Sequence, residues 1–408
     1  MLENIIEKKS NRTKYNKKLY LIMRSFDLNF GSYSSVFEEI ALYGIKKNYN
    51  VKILCLNTEN KTKIENYKKI EIIRFPIKKI KIPFLGMNYD YLILAKHIKN
   101  YFSKLFFDEK NIILANGRAA LGLADLKNFR QKYFVRIGQP AMTFLKNMEI
   151  ANNKVSFQTK IARKIHFKFQ SSLEKKALIF SKGIITPSIE TKNEIFNQYN
   201  IIKPFFVPQS GIRDIFFSIK KEKTESKKTE IKMLFVNSGT EEIRKGIYYF
   251  KEALPKIFSL YPNLILIHVG DKIDWFSNLA KEYHSKIISY GKVPFNEMPK
   301  FYKKADFLIS TALNEGMPNV ILEAMASGLP VLSSDIQGIN EYIENKKSGY
   351  IFKRADINSL LQGINFMLNA DFKKLSMNAR KKVQKLAYDN YLKELFNFFN
   401  NPENNILL

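Results

Sequence analysis

The sequence predicts an α/β protein with parallel sheets and two domains, on three observations. Residues 305–310 have the pattern of a short buried strand, helix formers follow from Val320 to Ala326, and residues 331–333 form a second apolar run. Residues 233–236, MLFV, predict another buried strand directly after a polar, charged connection at residues 220–230. A chain of 408 residues is also long enough for two domains, each with its own core.

The predicted helix between the two strands has clear limits. Pro318 suits the first turn, because its missing N–H would have no partner there. Gly328 suits the left-handed residue just past the end. We therefore expect a helix over roughly residues 318–327, and its apolar residues surround the axis, so most of its sides should be covered by protein.

Two glutamates stand eight positions apart in this segment, Glu315 in the loop and Glu323 in the helix. Glu323 is the only charged residue between Gly316 and Ser334. A carboxylate away from water is unfavourable unless it is paired, so an internal hydrogen bond or a gap to solvent explains Glu323 alone equally well. Ligands of open α/β sheets bind beyond the carboxyl ends of the strands, and a helix N-terminus attracts phosphate. Carboxylates beside such a phosphate site would suit ribose and sugar hydroxyls.

Residues 315–331, EGMPNVILEAMASGLPV, closely resemble the signature of the retaining GT-B glycosyltransferases of family four. Further segments resemble the same family in the same order, over nearly the whole chain. They are residues 19–55, 173–200, 207–217, 233–254, 268–272, 290–310 and 348–352. The resemblance implies a GT-B fold, in which two Rossmann-like domains face each other across a cleft and a C-terminal helix crosses back to the first domain.

The resemblance also implies the domain limits. We expect an N-terminal acceptor-side domain over residues 1–208 and a C-terminal domain that binds the nucleotide sugar over residues 209–385. Residues 386–408 are expected to form the returning helix and a tail.

The catalytic residues follow from the same resemblance. Lys245, in the motif Arg244-Lys245-Gly246, matches the lysine that meets the donor diphosphate, and Arg244 is expected to assist it. Opposite charge is needed there because the leaving nucleotide diphosphate gains negative charge as the glycosidic bond breaks. Glu315 is expected to hold sugar hydroxyls and Glu323 the ribose.

Other donor-side positions are matched through their backbone. The backbone groups at the start of the predicted helix, which would hold the diphosphate and the sugar, belong to Gly316, Met317, Asn319 and Val320. Val293 matches the position that contacts the base. Gly31 matches a glycine that lets the chain approach the diphosphate, and an ordinary turn glycine is an equal alternative. Thr240 stands where many relatives have an arginine, so phosphate contact is expected to be weaker or to shift to Arg244.

The acceptor side departs from the family pattern. Many relatives have a histidine at the end of a central strand of the first domain, where this chain has Gly138 and Gln139. None of its four histidines matches that position, so we expect them to be structural or surface residues. Arg118, Arg136 and Gln139 are the acceptor-side candidates, and for each a purely structural role is the stronger alternative.

Composition bears on disulfides, export signals, membrane-spanning segments and metal sites. The single cysteine, Cys55, excludes an intrachain disulfide, as expected in a reducing compartment. The first strand starts by about Leu19 behind a short basic leader without a signal-peptide core, and no apolar run approaches the ~20 residues needed to span a bilayer. No His, Cys and Asp cluster has metal-ligand spacing. We expect a cytoplasmic protein with no bound metal and no cofactor besides the donor substrate.

The formal net charge of +29 is concentrated in the first half of the chain. Residues 1–200 contain 37 Lys and Arg against 16 Asp and Glu. Each well-placed basic residue contributes ~1 kcal/mol at an anionic membrane, so peripheral contact with the inner face of the cell membrane is feasible through residues 78–84 or 154–170. For residues 154–170 an ordinary amphipathic helix with a solvated basic face is at least as strong an alternative. We find no nucleic-acid-binding motif and expect no nucleic-acid partner.

The resemblance therefore implies a retaining glycosyltransferase. It would move a hexose-type sugar from a UDP-sugar or GDP-sugar to an acceptor hydroxyl of a glycan or lipid-linked precursor, in cell-surface polysaccharide or glycolipid biosynthesis. Two alternatives stay open: a nucleotide-sugar epimerase of the same fold, and a non-enzymatic basic scaffold that binds membrane or nucleic acid.

Overall fold

The chain divides into two compact units. One comprises Met1–Arg136 with Ser172–Ile184, and the other comprises Ile137–Ser171 with Ile185–Leu408. The computed structural model describes residues 17–27, 32–59, 61–78, 86–151, 156–207, 211–219, 229–237, 245–271, 278–279, 281–313, 318–336 and 338–405. The predicted domain limits at residues 208 and 385 stay a prediction.

The first half of the chain builds an eight-stranded sheet. Its strands are β1 (Lys17–Ile22), β2 (Tyr49–Asn57), β3 (Lys63–Tyr67), β4 (Ile70–Pro76), β5 (Ile112–Asn116), β6 (Phe134–Arg136), β7 (Gly183–Ile185) and β8 (Phe205–Phe206). They lie in the order β3-β4-β2-β1-β5-β6-β7-β8. β1 pairs in parallel with β2 and β5, whereas β3 and β4 pair antiparallel. Four consecutive residues of β1, from Leu19 to Ile22, are buried, as expected for a parallel strand covered on both faces.

Within the described residues of this region, six α-helices connect the strands. They are α1 (Ser32–Lys46), α2 (Gly86–Phe102), α3 (Leu121–Ala124), α4 (Ala141–Ala151), α5 (Phe157–Ile179) and α6 (Ile189–Tyr199). Local sequence fixes the limits of α6: the Ser188 hydroxyl accepts the Thr191 N–H at its start, and Asn200 ends it in the left-handed conformation. The basic segment at residues 154–170 belongs largely to α5 and is helical from Phe157 onward.

The second sheet has six strands. They are β9 (Ile231–Asn237), β10 (Leu264–Gly270), β11 (Ile287–Ser289), β12 (Phe307–Ser310), β13 (Val331–Ser334) and β14 (Gly349–Phe352). Their order is β11-β10-β9-β12-β13-β14, and every pairing is parallel. The helices of this part are α7 (Asp214–Phe217), α8 (Ile247–Leu260), α9 (Met298–Lys304), α10 (Asn319–Ala326), α11 (Ile357–Asn369), α12 (Phe372–Val383) and α13 (Tyr388–Asn400).

The strand order reverses between β9 and β12. β9 is followed along the chain by α8 and then β10 on one side, whereas β12 lies on its other side and is followed by α10 and β13. β9 and β12 are parallel neighbours, so their carboxyl ends lie side by side where the strand order reverses. This is the position at which open α/β sheets bind ligands.

The last helix packs against the last strand of the eight-stranded sheet. The rings of Phe206 in β8 and Phe398 in α13 are stacked with their centroids 5.4 Å apart, and Tyr391 approaches the same Phe206 ring at 6.3 Å. The chain enters this helix beside Ile212, whose N–H donates to the Leu386 carbonyl at 2.7 Å. Two parallel-sheet domains and a C-terminal helix on β8 confirm the predicted fold class.

Candidate functional site

The predicted strand, loop, helix and strand around Glu323 are present as β12, α10 and β13. α10 begins one residue later than predicted, and Pro318 is its capping residue, with a carbonyl that accepts the N–H groups of Ile321 and Leu322. Gly328 follows the helix with a φ of +70°, in the left-handed region. The first N–H groups of α10 have no acceptor within the helix. Because α10 is the next helix after β12, its N-terminus faces the carboxyl end of that strand.

A second segment is fastened to the same edge of the sheet. Gly246 has a φ of +65°, and a Cβ there would lie 1.9 Å from the Thr311 carbonyl oxygen, so only glycine fits. The Thr311 hydroxyl donates to the Lys245 carbonyl at 2.9 Å, and the Tyr249 hydroxyl donates to the Thr311 carbonyl at 2.8 Å. These contacts fix the backbone of Lys245, which follows β9, against the residue that follows β12.

Glu323 lies on α10 with its carboxylate held by a tyrosine. Tyr302 in α9 is fully buried, and its hydroxyl donates a hydrogen bond to Glu323 Oε2 at 2.8 Å. The remaining acceptor capacity of the carboxylate is large, because two oxygens offer about four lone-pair sites. The Glu323 side chain is partly buried and keeps some exposed surface.

Opposing influences act on the pKa of the Glu323 carboxyl group. Burial raises its pKa to about 7, while the hydrogen bond from Tyr302 and the positive charges of Arg213 and Lys245 act to lower it. Burial and the adjacent Glu323 raise the pKa of Tyr302 well above its ordinary value, so this hydroxyl stays protonated and remains a donor. Two cations from separate segments are therefore close enough to Glu323 to favour its ionised form.

Arg213 also contacts Phe295, which follows closely after Val293, the residue predicted to contact the base. Its guanidinium carbon lies 4.5 Å from the centroid of the Phe295 ring, a cation–π contact. The Phe295 ring meets Phe216 edge-on at 5.4 Å. Val293, Phe295 and Val320 all pack against one buried cluster, which contains Phe216, Tyr302 and the apolar side of α10.

One known protein family matches the part of the chain that contains these elements. Residues 216–386, which contain Lys245, Tyr302 and Glu323, match the family described as glycosyl transferases group 1. This part of the chain is therefore similar to the group 1 glycosyl transferases.

Relatives and solved structures agree with that assignment. An uncharacterized glycosyltransferase of Methanocaldococcus jannaschii is 29% identical over 232 residues, which cover 53% of this chain and 59% of that protein. An O-antigen chain mannosyltransferase of Salmonella typhimurium is 28% identical over 233 residues, 55% of this chain and 62% of that protein. The chain spans 38% to 62% of the length of the first four curated relatives it matches.

The structural likeness extends further along the chain. The sucrose-phosphate synthase of Thermosynechococcus elongatus aligns with a TM-score of 0.74 at 16% identity, over 94% of this chain and 98% of that one. This likeness shows the GT-B fold. Membership of family four in particular stays a prediction.

Within the group 1 domain the structure places only some of the predicted site residues. Lys245 and Glu323 converge, and Asn319 and Val320 form the first turn of α10. Val293 packs against the same buried cluster as Phe295 and Val320. The predictions for Glu315, Gly316, Met317, Arg244 and Gly31 fall outside the described residues.

Two residues near Glu323 were missed by the sequence analysis. Tyr302 and Arg213 both stand in segments that resemble the family, but neither has a neighbour in sequence that indicates a carboxylate partner. A buried tyrosine needs a partner for its hydroxyl. That rule, applied to a glutamate in an apolar helix of the same domain, is the one signal that could have suggested the pair.

The histidines have the structural or surface positions that were expected. His268 in β10 is fully buried, and its ring nitrogens lie 2.7 Å from Asn237 Oδ1 and 2.8 Å from Ser289 Oγ. Burial lowers the pKa of His268 to about 4, so the ring is neutral. It ties Asn237 at the end of β9 and Ser289 at the end of β11 to β10, the strand between them.

The acceptor-side candidates lie in structured surroundings. Arg118 follows β5, donates to Asn88 Oδ1 at 2.6 Å and has its guanidinium carbon 4.3 Å from the Tyr91 ring centroid. Arg136 is the last residue of β6 and is buried, whereas Gln139 is partly exposed. Their predicted acceptor role stays a prediction.

The described residues were also expected to contain neither a metal site nor a membrane-spanning helix. No cluster of three or more His, Cys, Asp or Glu there could hold a metal ion. None of the helices in the described ranges combines the length and the apolar character that crossing a membrane requires.

Proposed function

We propose that this protein is a retaining glycosyltransferase that moves a hexose-type sugar from a UDP-sugar or GDP-sugar to an acceptor hydroxyl. The observation that carries the proposal is the convergence of Lys245 and Glu323, from the connections after β9 and β12, at the carboxyl edge of the group 1 sheet. A cation for the diphosphate and a carboxylate for hydroxyls are the two charges that a nucleotide sugar requires.

Each residue has a defined part in this mechanism. Lys245 stabilises the negative charge that develops on the leaving diphosphate as the glycosidic bond breaks. The N–H groups of Asn319 and Val320 at the start of α10 bind the same phosphates, with the helix dipole adding to the attraction. Glu323 accepts the ribose hydroxyls, and Glu315 and Arg244 contribute the sugar and phosphate contacts that the sequence predicts.

Retention follows from attack on the face from which the diphosphate departs. The acceptor oxygen then forms its bond to the anomeric carbon as the bond to phosphate breaks, and the leaving phosphate oxygen takes the acceptor proton. This scheme requires no nucleophilic residue of the protein and no bound metal.

The acceptor class is suggested by the relatives. One of them is named an O-antigen chain mannosyltransferase, so cell-surface polysaccharide or glycolipid biosynthesis suits this protein. We propose that it acts in the cytoplasm, in part at the inner face of the cell membrane. Its partners would then be the nucleotide sugar, a glycan or lipid-linked acceptor and an anionic membrane, with no nucleic acid.

The test combines donor binding with transfer. UDP-, GDP- and ADP-sugars are screened by thermal shift, because a ligand that binds the fold raises its stability by mass action. Transfer from the donor that binds is then measured with polyprenyl-diphosphate glycans as acceptors, and the anomeric configuration of the product is read by NMR. Retention of configuration is the expected result.

Site variants link the activity to these residues. Lys245→Ala and Glu323→Gln should each reduce transfer by more than tenfold, while Lys256→Ala, an exposed lysine on α8, should leave it unchanged. Conversion of the donor sugar without an acceptor would instead indicate an epimerase. Absence of any donor-induced shift would favour the non-enzymatic scaffold.

A further inference from the structure

We infer that the N-terminal part of α5 is a docking surface for an anionic phospholipid membrane, which rests on the membrane contact proposed above and assigns it a site. The inference starts from two rows of side chains that share one exposed side of this helix, which we call the α5 stripe. The stripe consists of Phe157, Ile161, Ile165 and Phe169 in one row and Lys160, Lys164 and Lys168 in the other.

The apolar row is unusually open to solvent. Phe157 is 77% exposed, Ile161 45%, Ile165 65% and Phe169 43%. Residues four apart lie one above the other on an α-helix, so these side chains form one continuous strip rather than scattered surface residues. Contiguous exposed apolar surface of this kind marks an interaction site, whereas single exposed residues do not.

The stripe is separate from the side by which the helix packs on the protein. Phe167 is buried at 8% exposure, and its ring lies 5.5 Å from that of Phe144 in α4. On the same part of the helix, His166 and Gln170 are joined by a hydrogen bond of 2.8 Å. The helix is therefore already anchored by its other face, and folding of this part does not account for the apolar row.

The charge of the α5 stripe indicates which partner binds it. Lys160, Lys164 and Lys168 are exposed in a row beside the apolar strip, and residues 156–171 contain no Asp or Glu. Aromatic and aliphatic side chains enter the boundary between lipid headgroups and acyl chains, while lysines on long stems reach the phosphates. Both rows are satisfied at once by an anionic bilayer surface.

Two other occupants fit less well. A nucleic acid would pair with the lysines but would leave Ile161 and Ile165 without apolar partners, because isoleucine does not stack on bases. A second copy of this chain, paired symmetrically through the stripe, would bring the two lysine rows together. An anionic membrane is the partner that covers the isoleucines and neutralises the lysines.

The test uses the full chain and vesicles of phosphatidylcholine, either pure or with 30% phosphatidylglycerol. We expect co-sedimentation with the anionic vesicles in 0.1 M salt and much weaker binding to the neutral ones. Binding should weaken in 0.5 M salt, because screening acts on the lysine contribution. Vesicle binding does not involve sugar transfer, so this test and the test of the glycosyltransferase proposal can fail independently.

Variants with matched controls locate the surface. Ile161→Glu with Ile165→Glu should weaken partitioning by more than 30-fold, while Ile64→Glu with Ile202→Glu, two exposed isoleucines elsewhere, changes the charge equally and should have little effect. Lys164→Ala with Lys168→Ala should weaken it by about 30-fold, at about fivefold for each lysine. Lys373→Ala with Lys374→Ala on α12 is the control of equal charge.

Three results would overturn the inference. The first is no binding to anionic vesicles, and the second is equal binding by the stripe variants and their controls. The third is a stripe-dependent interaction of another kind without vesicle binding, either with RNA or as a concentration-dependent dimer. All of these substitutions are at exposed positions, so thermal unfolding of each variant should show an intact fold.

Discussion

Replacing Tyr302 with phenylalanine tests whether a buried hydroxyl keeps Glu323 ionised for donor binding. The substitution keeps the aromatic ring in its cluster and removes only the donor of the 2.8 Å hydrogen bond to Glu323 Oε2. If the ionised carboxylate accepts the ribose hydroxyls, donor affinity of the unmodified protein should rise as the pH increases through about 7, the pKa of Glu323.

The size of the effect follows from the hydrogen bond. A hydrogen bond to a charged group contributes ~1.5–3 kcal/mol, which corresponds to ~1–2 pKa units. Without the Tyr302 hydroxyl, the pKa of Glu323 should rise from about 7 to roughly 8–9. The ionised fraction at pH 7 then falls from about a half to roughly 1–10%, so donor affinity at this pH should fall about five- to fifty-fold.

Isothermal titration calorimetry between pH 6 and pH 9 measures this shift directly. The ligand should be the intact nucleotide sugar, because both of its phosphates are esterified and keep their charge over this range. Tyr342→Phe is the matched control, since it removes a buried tyrosine hydroxyl that donates to the Pro187 carbonyl at 3.2 Å. A loss of affinity that is the same at every pH would refute ionisation as the cause, and an unchanged affinity would remove Glu323 from the donor site.

Two further predictions concern the stability of the same region. The pKa of Glu323 rises from 4.5 to about 7 on folding, so the folded state retains a proton that the unfolded chain has released, and stability falls as pH rises between these values, by up to ~3 kcal/mol. Urea unfolding at pH 5 and pH 8 should show no such fall for Glu323→Gln; equal pH dependence in both proteins would contradict the effect of burial. Gly246→Ala should cost at least ~3 kcal/mol and abolish donor binding, because the new Cβ meets the Thr311 carbonyl oxygen as well as a φ of +65°. Gly117→Ala, with a φ of +54° and open space around the Cβ, should cost only ~1–2 kcal/mol, and equal costs would show that the contact with Thr311 is unimportant.

The elements of the donor side could be predicted from sequence because their signals are local. The pattern from residue 305 to residue 333 gave the two strands and the helix between them, with an error of one or two residues at the limits. Gly328 was identified by its place after a helix, and its φ of +70° has the expected sign. Such features depend on neighbouring residues, which a single sequence contains.

The partners of Glu323 could not be predicted in this way. Tyr302 is 21 residues away from Glu323 along the chain. Arg213 is farther away and precedes β9, the first strand of the second sheet along the chain. α7, α9 and α10 pack together in one buried cluster, an arrangement that no local pattern specifies. Resemblance to a family supplied Lys245, but it gave no indication of the tyrosine or of this arginine.

The placement of Glu323 explains why an apolar helix contains a carboxylate at all. Five of the eight residues of α10 are fully covered by protein, and a hydrocarbon side chain at position 323 would satisfy that environment without the unfavourable burial of charge. Instead, Tyr302, Arg213 and Lys245 offset part of the burial, and the pKa stays near neutrality rather than at the value of an ordinary surface glutamate. A bound ribose would supply further hydrogen bonds to the ionised form and lower this pKa. The unfavourable burial in the free protein is thus relieved by the ligand, so the departure from ordinary core composition at Glu323 is itself an argument for a binding site.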